Sequence, residues 1–138
     1  LSVSPRMFAT SAQKIAATRT EIDHRNAASR AYYALYHAAL ELMLEEFAEI
    51  KRYPRVGVHQ CLIKHLEEVG KSGGSGRITA ELGTDLSEML TLVKRLRTHA
   101  DYKLKRHFRE SDAIMSIDYA HEYLDKIDCL PPKKLSSR

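Results

Sequence analysis

Apolar positions along the chain recur at spacings of three and four residues rather than two, which predicts helices and no strand. Leu86, Met89, Val93, Leu96, Ala100 and Leu104 fall on one stripe of a helix spanning about 78 to 104, with an irregularity expected near Gly83-Thr84. Arg97 sits within that stripe, Asp101 lies one turn on at its margin, and Tyr102 is expected on roughly the opposite side. Other helices have clear starts and stops. Ser4-Pro5 pairs a capping hydroxyl with proline at the first helical position and opens a helix to about Thr18, with Phe8, Ala12, Ile15 and Ala16 on one side. Asp23 is expected to cap a long second helix through "HRNAASRAYYALYHAALELMLEEFAEI", and Pro54 and Gly57 break the chain after it. "VHQCLIKHLEEV" predicts a short third helix, and "GKSGGSG" a flexible loop. Ser111 is expected to cap a fifth helix carrying Ile114, Ile117, Tyr119, Tyr123 and Leu124, which stops before Pro131-Pro132.

Short connections favour antiparallel neighbours, so the expected fold is all-α, an up-and-down bundle of about five helices. It occupies residues 1 to 128, followed by a flexible basic tail from 129 to 138. A length of 138 residues suits one domain with one core, and 43% hydrophobic content argues against disorder throughout. No run of about 18 apolar residues is present, so no membrane partner is expected. No basic-then-apolar leader opens the sequence, and Cys61 and Cys129 are too few for a disulfide framework or a zinc site. Both points suit a reducing cytoplasm, with no metal and no cofactor expected.

Charge changes the picture because it is uneven. The net charge of +4 is modest, yet Lys94, Arg95, Arg97, Lys103, Lys105, Arg106 and Arg109 crowd one segment, together with His99 and His107. Residues 41 to 49 lean the other way through Glu41, Glu45, Glu46 and Glu49. A basic cluster attracts a phosphate backbone by releasing its counterions, and the candidate RNA contacts are Lys94, Arg95, Lys103, Lys105 and Arg106. A solvated helix face and turn has the same composition. In the second helix, Ala28, Ala31, Ala34, Ala38 and Ala39 let neighbouring backbones approach closely, while Tyr32 and Leu35 fill the gaps. Arg30, Tyr33, His37 and Glu41 form a second stripe there. The first three read either as a polar pocket facing the Arg97–Asp101 edge or as polar groups satisfied at a helix interface.

"SRAYYALYHAA", "GVHQCLIKHL" after a break, "RLRTHADY" and a last amphipathic helix together resemble a HEPN domain (higher eukaryotes and prokaryotes nucleotide-binding). The chain is similar in detail to small stand-alone prokaryotic HEPN proteins with an Arg-x-x-Ala-Asp-Tyr signature, here Arg97 to Tyr102, and the likeness runs from about Phe8 to Ile127. This resemblance implies a helical bundle that forms a homodimer with one composite cleft. It also implies a metal-independent ribonuclease, the toxin of a toxin–antitoxin or defence system whose partner is a minimal nucleotidyltransferase. The alternative is a non-catalytic HEPN module that binds a nucleotidyltransferase, a nucleotide or RNA. The family's motif is arginine, four to six residues, then histidine, and the chain departs from it. Tyr102 stands where the histidine most often falls, and His99 comes only two residues after Arg97. Arg30–His37 and Arg52–His59 match the spacing by count alone. Cleaving RNA without a metal needs a proton carrier and a cation for the charged transition state. The candidate catalytic residues are therefore Arg97 for phosphate charge, His99 for the proton, Asp101 to orient the guanidinium, and Tyr102 beside them. The structural alternative for Arg97 is an i,i+4 pair with Asp101 that ties its helix to the tyrosines of the second.

Overall fold

The computed structural model describes residues 3–132, so most of the expected basic tail, including Lys133, Lys134 and Leu135, lies outside the described residues. The fold is an all-α bundle of five helices with one tiny hairpin: α1 (Pro5–Ala16), α2 (Glu21–Glu46), α3 (Val58–Lys71), β1 (Gly74–Ser75), β2 (Ile78–Thr79), α4 (Ala80–Tyr102) and α5 (Glu110–Asp128). Helix α2 lies at the centre, against α1, α4 and α5, while α3 packs mainly on α4. Its alanines explain how one helix takes several neighbours. Ala27, Ala28, Ala31, Ala34, Ala38 and Ala39 are all buried, so neighbouring helices approach closely over small side chains. Tyr32, Leu35 and Met43, fully buried, fill the remaining space.

Several helix ends differ from the sequence reading, each for a local reason. Helix α1 stops at Ala16 rather than Thr18, and Arg19 then takes a left-handed φ of 61° that turns the chain. The cap of α2 is Thr20, whose Oγ1 accepts the Asp23 N–H at 3.2 Å. Asp23 sits inside the first turn, where its carboxylate accepts the hydroxyls of Thr18 and Thr20, and these bonds lower its pKa. Ser111 does not cap α5. Arg109 holds that position, with its N–H donating to Asp112 Oδ2 at 3.2 Å. The glycine-rich loop contains a short antiparallel hairpin, in which Gly74 pairs with Thr79 and Ser75 with Ile78. Ile78 is fully buried, which anchors the hairpin to the core. Arg77 beside it reaches Glu45 and Glu46 at the end of α2 and the Pro131 carbonyl at 3.0 Å. Two of the acidic residues that tilted the sequence reading therefore serve a structural ion-pair network.

Helix α4 runs without a break through Gly83. The glycine serves packing, not irregularity. A Cβ at Gly83 would lie 2.9 Å from the Gly70 nitrogen of α3, closer than real side chains come. Gly83→Ala is expected to lower stability by ~1–3 kcal/mol through overpacking, outweighing the ~1 kcal/mol that alanine ordinarily brings to a helix. Thermal melting of the variant checks the sign of the change. The stripe on α4 is as expected except at Leu96, which is only half-buried and lines a surface groove, and at Leu104. Leu86, Met89, Val93 and Ala100 are buried, whereas Leu104 lies beyond the helix end and is 69% exposed.

The end of α4 is held by a residue the sequence reading did not single out. Arg25 of α2 is buried, and its Nη1 donates to the carbonyls of His99 (3.3 Å), Ala100 (2.9 Å) and Lys103 (3.4 Å). Its Nη2 donates to the Arg106 carbonyl and, at 3.0 Å, to Glu21. The guanidinium carbon stands 5.7 Å from the centroid of the Phe108 ring, which is fully buried. One side chain thus satisfies carbonyls that a helix C-terminus leaves open and pins the basic segment 103 to 109 to the bundle.

Candidate functional site

Arg97 occupies the meeting of α2 and α4, its side chain 18% exposed. Its Nε lies 2.9 Å from Asp101 Oδ2, an ionic contact in which the N–H is not aimed at the carboxylate. Nη2 donates a long 3.5 Å hydrogen bond to the Tyr33 hydroxyl. The guanidinium carbon is 5.6, 5.8 and 5.4 Å from the ring centroids of Tyr32, Tyr33 and Tyr102. These contacts fit the attraction of a cation for aromatic faces. Asp101 Oδ2 also accepts from Ser29 Oγ at 3.3 Å, so its carboxylate is fixed from α2 as well as from its own helix. Nη1 has no hydrogen-bond partner among the described residues and is not fully sealed from solvent.

The expected contact of Arg97 with Asp101 and with a tyrosine of α2 is therefore present. Tyr102 departs from expectation. Although 67% exposed, it does not turn away, and its ring stands over Arg97 where the last turn of α4 ends. His99 departs in the other direction. Its ring meets Phe108 edge-on at 5.4 Å on the loop side of α4, and its Nε2 is buried without a partner. The polar stripe of α2 divides too. Tyr33 joins Arg97, His37 stacks on Phe8 of α1 at 5.4 Å, and Arg30 reaches Ser11 of α1 at 3.4 Å. Arg30 and His37 thus face α1, and of the expected pocket Tyr33 alone meets Arg97, with His37 stacked behind it at 6.2 Å.

A histidine that the sequence reading set aside comes instead from α3. His59 stacks on Tyr36 at 4.2 Å and on Tyr32 at 5.6 Å, and its Nδ1 shares a hydrogen bond with the Tyr32 hydroxyl. Its Nε2 makes no hydrogen bond among the described residues and is not sealed from solvent. Burial, then the positive charges of Arg97, Lys94 and His37, lower its pKa. Burial raises the pKa of Tyr32, which stays a neutral phenol able to donate or accept. A signal for His59 exists in the sequence, since it precedes Leu62, Ile63 and Leu66 at spacings of three, four and seven. It is a polar residue on an apolar stripe, as Arg97 is.

Most of the basic residues gather on the other side of α4 from this cluster. Lys94 lies near Arg97, but Arg97, Tyr102 and His59 do not line the groove that these cations form. A groove of about 650 Å³ runs along the outer side of α4 towards the following loop. Lys94, Arg95, Lys103, Arg106 and His99 line it, and no acidic side chain does. Gln60 of α3 forms one wall and accepts from Lys94 Nζ at 3.0 Å. Burial, then the charge of Arg97, lowers the pKa of Lys94. Lys105, expected with these cations, does not line the groove. Among the described residues, no group of three or more His, Cys, Asp and Glu side chains is placed to hold a metal ion, and both cysteines are free thiols. Among the described residues, no helix is long and apolar enough to cross a membrane.

Fold and site together define a small helical bundle with an arginine–tyrosine–histidine cluster across α4 from a cationic groove. Comparison with protein-family models, with curated proteins and with solved structures finds no significant match.

Proposed function

We propose that this protein is a HEPN-type, metal-independent endoribonuclease that holds single-stranded RNA in the groove along α4. The observation that carries the reading is a groove whose charged lining is entirely cationic, linked through Lys94 to the half-buried Arg97. Arg97 lies outside the groove on the α2 side of α4, with Nη1 unbonded among the described residues. The groove supplies phosphate contacts that position a strand without reading its sequence. Arg97 is aimed by Asp101 and the tyrosines, and its free Nη1 meets a phosphate oxygen as charge builds on it. Leu92 and Leu96 on the groove wall give the bases an apolar surface. The chain acts as a homodimer in the cytoplasm, the toxin partner of a minimal nucleotidyltransferase, as the HEPN resemblance implies.

A second reading is favoured by one specific feature, the separation of His99 from Arg97 across α4. In that reading the chain is a non-catalytic HEPN module that binds RNA, a nucleotide or a nucleotidyltransferase. Incubating labelled RNA with the pure protein in EDTA separates the two. The first reading expects fragments ending in a cyclic phosphate, and the second expects binding alone.

Both RNA-binding readings expect affinity to fall with salt. Four groove cations on a single strand correspond to a slope of log K against log salt of about −3. Lys103→Ala and Arg106→Ala are each expected to reduce that slope by roughly 0.7. Fluorescence anisotropy with a labelled oligonucleotide at several salt concentrations measures this. A slope near zero would remove RNA from both readings.

A further inference from the structure

We infer that His59, and not a histidine of α4, is the catalytic proton carrier of this site, with Tyr32 as its positioning residue. The inference rests on the ribonuclease reading and deepens it. Three observations point the same way. His59 is brought into the tyrosine cluster of Arg97, since Tyr32 both stacks on its imidazole and faces the guanidinium. His37 also touches the cluster through Tyr33 at 6.2 Å, but its ring is packed on Phe8 of α1 and no hydrogen bond among the described residues orients it. His99, the alternative, has its ring against Phe108 and its Nε2 sealed without a partner. The two ring nitrogens of His59 are also differentiated in the way a general base requires. In the tautomer that a general base requires, Nδ1–H donates to the Tyr32 phenol oxygen and the Nε2 lone pair is left facing solvent. A base oriented through one nitrogen and free at the other is the arrangement used for nucleophile activation.

The groups facing His59 agree with that task. From α2 come Tyr32, Tyr36 and His37, and from α4 come Lys94 and Arg97, with no carboxylate among its electrostatic neighbours. Its imidazole is therefore largely neutral near pH 7 and able to accept a proton. In the step itself, the ribose 2′ oxygen bonds to phosphorus as the bond from phosphorus to the 5′ oxygen breaks. The 2′-hydroxyl proton passes to His59 Nε2. The departing 5′ oxygen takes a proton from a solvent water, and the hydroxide left behind recovers the proton from His59. The products are a 2′,3′-cyclic phosphate and a 5′-hydroxyl, with atoms and charge in balance.

The test is cleavage of a single-stranded RNA by the full chain in EDTA, followed from pH 5 to 9. His59→Ala and His59→Gln are expected to lower kcat by roughly 10²-fold or more at unchanged KM, with melting temperatures near that of the wild type. Added imidazole should restore part of the rate to His59→Ala, which a structural role would not produce. Tyr32→Phe should lower kcat less, leave KM unchanged and move the acid limb of the pH profile. Full activity in both His59 variants, with Arg97→Ala inactive, overturns the assignment and leaves the ribonuclease reading standing. A rate loss without imidazole rescue, and with the acid limb unmoved in Tyr32→Phe, also overturns it. Absence of cleavage by the wild type overturns the ribonuclease reading and this assignment together.

Discussion

Arg97→Ala is expected to lower RNA cleavage in EDTA by ~10²–10³-fold, the scale of removing one preorganised group that stabilises transition-state charge. The size follows from how the side chain is held. Asp101 fixes Nε from one side, Tyr33 fixes Nη2, and three tyrosine rings surround the guanidinium carbon. A cation held in this way needs little reorganisation when charge appears on a phosphate. Arg97→Lys is not expected to rescue activity, because a lysine ammonium lacks the planar fork that these partners orient. Single-turnover rates on one RNA substrate, with melting curves for each variant, make the measurement. Removing Arg97 leaves the half-buried Asp101 without its cation but still bonded to Ser29, so a loss of stability is expected as well, and rates are compared at temperatures where each variant is folded. A variant that loses several degrees of stability and less than tenfold in rate would assign Arg97 to architecture alone.

The largest stability effect is expected at Arg25. Arg25→Ala removes donors from the carbonyls of His99, Ala100, Lys103 and Arg106 at once, and it takes the cation away from the Phe108 ring. Breaking a buried, charge-assisted network of this kind costs about 3 kcal/mol, because the groups left behind are not fully rehydrated. In a domain of this size that corresponds to a fall in melting temperature of roughly 10 °C. Arg25→Lys is expected to recover only part of it, since one ammonium cannot span carbonyls on α4 and on the loop together. The loop carries Lys103 and Arg106, so weaker RNA binding should accompany the loss of stability. Chemical denaturation and the anisotropy assay, run on the same preparation, check the two effects side by side. A variant as stable as the wild type would mean that the 103 to 109 segment is held by Phe108 without Arg25.

Much of the fold is legible in the sequence because it is written in local terms. Apolar spacing of three and four marks each helix, Ser4-Pro5 opens α1 and Pro131-Pro132 follow the end of α5, whereas α2 stops at Glu46, four residues short of the expected Ile50 and well before Pro54. The alanine series of α2 announces a central helix, since small side chains have little use on a helix with a single neighbour. The conspicuous Arg97 within an apolar stripe marked a partly buried cation, and the chain places it there. Less local matters went astray by small steps. Asp23 and Ser111 carry capping chemistry, yet Thr20 and Arg109 hold the caps, because the competing side chains lie within three residues of one another.

What the sequence by itself determined is the set of helices, their approximate ends and the presence of a cation with tyrosines near the end of the fourth. Only the tertiary structure decided which side chains meet. His59 and Arg97 are 38 positions apart on different helices, and no periodicity within one element relates them. Arg25 is linked to carbonyls of α4 and of the loop after it over 74 to 81 residues, a distance across which composition carries no information. The same holds for Gly70 and Gly83, whose close approach exists only because two helices cross there. His99 and Arg97 are two residues apart, yet 200° of helical rotation separates them, and packing sends one ring to Phe108 and the other side chain to the tyrosines. Helix periodicity is a property of a single segment and is readable from it. The site is a property of the packing between segments, where neighbours in space are strangers in sequence.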